Sequence, residues 1–146
     1  MRVALGSDHR GFKLKNQLID YLKQAGHEIT DFGCYSEESS DYPDFAAHVC
    51  RSITKKQCDM GILVCGSGVG MSIAANKFKG IRAALCCNTE MASRARRHNN
   101  ANVLCLGTDF LDDKTAIEIT GNFISTQFEG GRHQRRIDKI GETESF

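Results

Sequence analysis

The chain has 146 residues, of which 40% are apolar and 25% charged, with a formal net charge of +1. That length suits one domain, residues 1–146, whose core needs no metal or disulfide staple. The near-neutral balance gives no global pull toward nucleic acid or an acidic membrane, no apolar run approaches the ~20 residues of a membrane span, and the opening MRVALGSDHRG is too short an apolar stretch for a secretory signal.

Apolar runs and helical patterns then alternate along the chain. Arg2–Ser7 reads as a first strand, and residues 12–25 as a helix with Leu14, Leu18 and Leu22 on one face, broken by Gly26. Glu28–Phe32 is a second, weaker strand. Asp41-Tyr42-Pro43-Asp44 holds the only proline and reads as a loop, followed by a helix over 44–55 with Phe45, Val49 and Ile53 four apart. Gly61–Cys65 is apolar throughout, as suits a parallel strand covered on both faces. A glycine-rich turn leads into a helix through Met71, Ile73 and Ala74. Arg82–Cys86 is a fourth strand, and Thr89–Asn99 a helix with Thr89 as N-cap and Glu90 in its first turn. Val103–Leu106 is a fifth strand, and 114–128 and 132–140 are further helices. This alternation predicts an α/β fold, a three-layer Rossmann-like sandwich with a five-stranded parallel sheet.

The seven cysteines include no Cys-x-x-Cys pair, so neither a zinc ribbon nor a thioredoxin motif is indicated. Cys34, Cys50, Cys58, Cys86, Cys87 and Cys105 read as small buried hydrophobes in a reducing cytoplasm.

In such sheets ligands bind beyond the carboxyl ends of the strands, which directs attention to Ser7–Gly11 and Cys65–Gly70. In the second loop Gly66, Gly68 and Gly70 let backbone N–H groups approach a ligand and open a helix, whose first turn favours an anion. The loop lacks the Gly-Lys-Ser/Thr of a Walker motif. The dinucleotide fingerprint fails as well, because Met71 stands at its last glycine and no acidic residue follows at the right distance. A tight strand-to-helix turn without ligand is the bland alternative. Cys65, at the mouth of the loop, supplies a thiol whose anionic form a helix N-terminus favours. A thiolate beside an oxyanion-binding loop suits acyl transfer or proton abstraction next to a carbonyl. Asp8-His9, followed by Arg10-Gly11, is placed to bind hydroxyls or phosphate. His98-Asn99, ending a helix, is a candidate acid/base with a polar partner. Arg132 and Arg136 share one helical face and suit a phosphate monoester. No aromatic platform for nucleic acid accompanies them, and Arg94, Arg96 and Arg97 read as a solvated face. No His, Cys or carboxylate cluster has metal-ligand spacing.

Topology separates these candidates. Asp8 and Cys65 follow strands, whereas His98 and Asn99 end a helix and precede a strand, so they belong at opposite edges of the sheet, roughly 17 Å apart for a five-residue strand. Arg132 and Arg136 follow the last long helix and start near the far edge. A two-fold dimer that sets one chain's carboxyl edge against its partner's helix ends would complete both sites, so a homodimer or dimer of dimers is expected.

Gly6-Ser7-Asp8-His9-Arg10-Gly11, Asp41-Tyr42-Pro43-Asp44, Cys65-Gly66-Ser67-Gly68-Val69-Gly70 and Arg97-His98-Asn99 with Ala101-Asn102-Val103-Leu104 together resemble the ribose-5-phosphate isomerase B family and its galactose-6-phosphate isomerase relatives over nearly the whole chain. The resemblance implies interconversion of ribose 5-phosphate and ribulose 5-phosphate. It makes Cys65 the base that moves a proton between C1 and C2, with Ser67 assisting. The amides of Gly66, Ser67, Gly68, Val69 and Gly70 then hold the enediolate. His98 helps open the furanose ring, with Asp8 near the ring hydroxyls. His9, Arg132 and Arg136 hold the phosphate, and Asn99 contacts the sugar. No metal or organic cofactor is implied. Where similar proteins often carry arginine, this chain has Asp109, whose charge opposes a phosphate. The competing readings are isomerisation of a six-carbon aldose phosphate such as allose 6-phosphate, and a non-catalytic sugar-phosphate sensor on the same fold.

Overall fold

The apolar runs at 2–7, 60–65 and 103–107 form strands because each can bury both faces at once. The structure of the protein, a computed structural model, describes residues 1–145. In chain order the elements are β1 (Arg2–Ser7), α1 (Phe12–Gln24), β2 (Glu28–Asp31), α2 (Tyr42–Thr54), β3 (Met60–Cys65), α3 (Val69–Ala75), β4 (Ala83–Leu85), α4 (Thr89–Asn99), β5 (Val103–Gly107), α5 (Asp113–Ser125) and α6 (Arg132–Thr143). The strands make one five-stranded sheet in the order β2-β1-β3-β5-β4, every neighbouring pair parallel.

Alternation along the strands sorts the core into two layers. Val3 and Leu5 of β1, Ile62 and Val64 of β3, and Leu104 and Leu106 of β5 pack with Leu14, Leu18 and Leu22 of α1 and with Ala116, Ile119 and Phe123 of α5. Their sequence neighbours Ala4, Leu63, Cys65, Val103 and Cys105 face the other way, onto Ala46, Val49 and Cys50 of α2 and Met71 and Ala75 of α3. The expected three-layer sandwich is therefore present.

Three local expectations are corrected. Of the loop assigned to Asp41–Asp44, Asp41 is the N-cap of α2 and residues 42–44 already belong to the helix, because Pro43 stands in the first turn, where its missing N–H has no intrahelical acceptor to lose. The cap of α4 is Asn88 and not Thr89: the Asn88 side chain accepts the Met91 N–H at 2.8 Å. The helix expected to reach residue 128 stops at Ser125, where Thr126 turns extended and its hydroxyl donates to the Asn122 carbonyl at 2.6 Å.

One buried charge pins α1 to the end of β2. Lys15 is 0% exposed, and its Nζ donates to both carboxylate oxygens of Asp31, at 2.6 and 2.7 Å, below the Tyr35 ring. Asp31 also accepts the Gly33 N–H at 2.9 Å and keeps some access to water. Removing the carboxylate strands a buried cation, so Asp31→Ala is expected to lower stability by about 3–5 kcal/mol. Lys15→Met leaves a carboxylate that water reaches and fills the same space, so it should lose less than half as much. Denaturant unfolding at one fixed chain concentration checks both values.

Candidate active site

The strand order creates the crevice. From β1 the chain leaves through α1 toward β2 on one side, and from β3 it leaves through α3 toward β4 on the other, so the loops after β1 and β3 diverge at the carboxyl edge. In the first loop Asp8 is buried, and its Oδ1 accepts the backbone N–H groups of Arg10 at 3.0 Å and Gly11 at 3.1 Å. His9 is tied to Ser40 twice: its N–H donates to Ser40 Oγ at 3.1 Å, and its Nδ1 accepts the Ser40 N–H at 3.2 Å. With Nδ1 an acceptor, the neutral ring carries its hydrogen on Nε2 as a donor for a ligand.

In the second loop Cys65 ends β3, and its Sγ accepts the Gly68 N–H at 3.1 Å. Gly68 takes φ +76°, a left-handed conformation that L side chains rarely adopt, and an added Cβ would also meet the Leu106 carbonyl carbon at 2.9 Å. This conformation turns the chain out of the loop and into α3, of which Gly68 is the N-cap. A thiolate accepts a bond such as that from Gly68 more strongly than a thiol does. Ser67 Oγ accepts the Val69 N–H at 3.2 Å. The expected set of amides is thereby narrowed, since Gly68 and Val69 spend theirs on Cys65 and Ser67, while those of Gly70 and Met71 open the first turn of α3 without an intrahelical acceptor. The Tyr42 ring packs over Gly70, where a Cβ would lie 2.6 Å from Cζ, so Tyr42 walls the loop. Sequence reasoning gave Tyr42 no role, although it lies in a quoted motif.

The Asp109 charge, expected to oppose an anion, is paired within the chain. Arg10 pairs with the Asp109 carboxylate, and its guanidinium lies against Gly66, where an added Cβ would stand 2.6 Å from Cζ. The Asp109 N–H donates to the Gly66 carbonyl at 2.8 Å and the Thr108 N–H to the Cys65 carbonyl at 3.0 Å. Asp109 therefore locks the β5 loop onto the glycine-rich loop with its charge neutralised. Among the other cysteines five are buried as expected, whereas Cys87 is exposed, on the short turn between β4 and α4. Burial pushes the Cys50 and Cys86 thiols up to about 12 and raises Cys105 as well, which keeps all three protonated and inert.

His98, Asn99, Arg132 and Arg136 form a second group elsewhere. Val103 starts β5 beside Gly61, and Gly107 ends it beside Cys65. Since α4 runs into the start of β5, His98 and Asn99 lie at the amino edge of the sheet, one strand length from Cys65. The His98 ring stacks on His133 of α6, with centroids 4.4 Å apart and planes 12° from parallel, which brings the Arg132 end of α6 to the same place. Arg132 and Arg136 are both exposed. Glu129 Oε2 lies 3.6 Å from His133 Nε2 and 4.0 Å from His98 Nε2. Burial, followed by the charges of His98 and Arg132, lowers the pKa of His133. Sequence reasoning missed Glu129 and His133. Their four-residue spacing was a signal, but His98 joins them only through the fold. The absence of metal-ligand spacing in the sequence is corrected at the same point, because ligand atoms of His98, Glu129 and His133 all lie within 4.8 Å of one another. Arg96 is also not solvated: it is buried over Phe123 and donates to the Ala101 carbonyl at 2.5 Å and to Asn100 Oδ1 at 2.9 Å.

Within one chain, then, the predicted residues form two separate groups. Asp8, His9, Cys65, Ser67 and the glycines stand at one sheet edge, and His98, Asn99 and the arginines at the other. Among the described residues no helix is long and apolar enough to cross a membrane.

Comparison with known proteins gives these two groups a context. The profile of the family described as Ribose/Galactose Isomerase matches residues 3–140. Ribose-5-phosphate isomerase B of Escherichia coli is 43% identical over 139 residues, covering 95% of this chain and 93% of that protein. A solved structure of ribose-5-phosphate isomerase B from Clostridium thermocellum superposes with a TM-score of 0.98 at 47% identity, over 99% of this chain and 98% of that one. The crystal structure of the Mycoplasma genitalium ribose-5-phosphate isomerase B with bound ribulose-5-phosphate superposes with a TM-score of 0.95 at 46% identity, over 99% and 96% of the two chains. A profile match over nearly all of its length and relatives at these identities mean that the chain belongs to the ribose/galactose isomerase family.

Proposed function

We propose that the protein interconverts ribose 5-phosphate and ribulose 5-phosphate, with Cys65 as the base, as one domain whose sites are each shared between two chains. The observation that carries this reading is the Cys65 sulfur held by the Gly68 N–H at 3.1 Å, at the mouth of the crevice between β1 and β3. It is supported by the resemblance of the whole fold to a relative solved with ribulose-5-phosphate.

In the open-chain aldose the thiolate takes the proton from C2. The electron pair left behind forms the C1–C2 double bond, and the C1 carbonyl oxygen becomes the enediolate oxygen. The free amides of the glycine-rich loop face that charge, and hydrogen bonds of this kind are worth ~10²–10³ in rate. The thiol then returns its proton to C1 while the proton of the C2 hydroxyl passes to the oxygen on C1, which leaves the C2 carbonyl and C1 hydroxyl of the ketose and restores the thiolate. Asp8 and the Nε2 side of His9 contact hydroxyls and phosphate, and Ser67 steadies the loop through Val69. From the partner chain come the acid/base that opens the furanose ring, which is the role of His98, the sugar contact of Asn99, and the guanidiniums of Arg132 and Arg136 for the phosphate. The scheme uses neither a metal nor an organic cofactor. Six buried free thiols support a reducing, cytoplasmic setting.

The test is turnover of ribose 5-phosphate against a panel of hexose 6-phosphates that includes allose 6-phosphate, without added metal. Preference for a hexose phosphate replaces the substrate, and binding without any turnover replaces the enzyme with a sensor. Because a phosphate clamp holds ground and transition states alike, Arg136→Ala is expected to raise KM about tenfold or more and to change kcat only a few-fold. Steady-state kinetics on ribose 5-phosphate check the split.

A further inference from the structure

We propose that His98, Glu129 and His133 form a binding site for a divalent transition ion of the zinc class, and that the ion acts as an inhibitor. Three donors from three segments meet there: the last turn of α4, the connection between α5 and α6, and the first turn of α6. Two imidazoles and a carboxylate suit zinc, cobalt, nickel or copper and not the all-oxygen preference of magnesium or calcium. Zinc takes such donors at about 2.0–2.2 Å, which places two donors about 3.3 Å apart around a tetrahedral ion. The Glu129 oxygen is 3.6 Å from one imidazole nitrogen and 4.0 Å from the other, and all three ligand atoms lie within 4.8 Å of one another, so the donors are already gathered and closing on an ion needs one ring to turn.

The framework leaves room for that movement where it is needed. An ion must lie in the plane of each ring, so the stacked pair has to open. His133 is buried, with its backbone N–H donating to the Gly130 carbonyl, whereas His98 is 37% exposed and can turn out of the stack. Glu129 is anchored by its N–H on the Arg97 carbonyl at 3.1 Å while its carboxylate remains half-exposed. Arg97, with Nε 4.0 Å from Glu129, and Arg132, on the turn that carries His133, are the cations that oppose the ion. Three protein ligands leave one position open, as in sites that exchange their metal. The ion would take the Nε2 lone pair of His98. That consequence alone rests on the proposed ring-opening role of His98, whereas the site itself does not.

The experiment titrates cobalt(II) chloride into the chelator-treated full chain and follows visible absorption and heat. The expected result is one ion per chain, with the d–d bands of a four- or five-coordinate nitrogen and oxygen site and no intense sulfur-to-cobalt band, displaced by zinc. Glu129→Gln and His133→Gln should each weaken binding at least tenfold and keep wild-type turnover in metal-free buffer. Zinc should slow wild-type turnover of ribose 5-phosphate at the concentrations that displace cobalt, and chelator should restore it. No absorption or heat with the wild type, a sulfur-to-cobalt band, or unchanged binding in both variants overturns the site. Binding that both variants lose, but that leaves wild-type turnover untouched, upholds the site and overturns the role of His98.

Discussion

Cys65→Ser is expected to fold and melt like the wild type and to lose isomerase turnover by about 10³-fold or more. The side chain is 4% exposed at the end of β3, and a hydroxyl fits where the sulfur sits and still accepts the Gly68 N–H. What disappears is the anion. A free thiol, with pKa ~8.5, is acid enough to supply an anionic base, whereas an aliphatic hydroxyl is not. Cys50→Ser serves as the control. Its sulfur is fully buried among α2, β3 and α3 with a long contact to the Ala75 carbonyl, so it should lose stability and keep turnover per folded chain. Melting curves and ribose 5-phosphate turnover on both variants decide the matter. Turnover near that of the wild type in the Cys65 variant would remove the thiol from the mechanism.

How much of this arrangement was legible in the sequence depended on how far apart its parts lie along the chain. The two loops at the carboxyl edge could be read directly, because Asp8-His9 and the run from Cys65 to Gly70 each carry their own strand, turn and chemistry within a few residues. Helix ends were read less well. Asn88 and Thr89 are both acceptable caps, and only the Asn88 bond to Met91 distinguishes them. Pro43 looks like a breaker until its place in a first turn is known. Long-range pairs were not legible at all. Arg10 and Asp109 are 99 residues apart, and nothing local reveals that the one neutralises the other. Glu129 and His133 could be paired by their spacing, but the His98 ring that stacks on His133 arrives from another helix. Arg96 looked like one more surface charge, because its acceptors, the Ala101 and Thr126 carbonyls, are gathered by the fold.

Mixing inactive Cys65→Ser and His98→Asn chains is expected to restore activity. The separation of the half-sites motivates this. β5 runs from Val103, next to the end of α4, to Gly107, next to Cys65, so a whole strand of roughly 17 Å lies between the thiol and the imidazole of one chain. No side chain crosses that gap to reach the carbons of a five-carbon sugar. A two-fold dimer that places one chain's β1 and β3 loops against its partner's α4 and α6 ends builds two sites, each with one thiol and one imidazole. In a mixed dimer both lesions then fall in the same site and the other site is intact. Random exchange in an equal mixture makes half of the dimers mixed, each with half of its sites working, so about a quarter of wild-type activity should return. Exchange has to be demonstrated independently, by native mass spectrometry of isotope-labelled chains, and turnover assayed before and after it. If each chain contained its own complete site, every site in the mixture would carry a lesion and activity would stay at the level of the variants. Complete exchange without recovery would therefore overturn the shared site, whereas the Cys65→Ser result tests the chemistry whichever chain supplies the histidine.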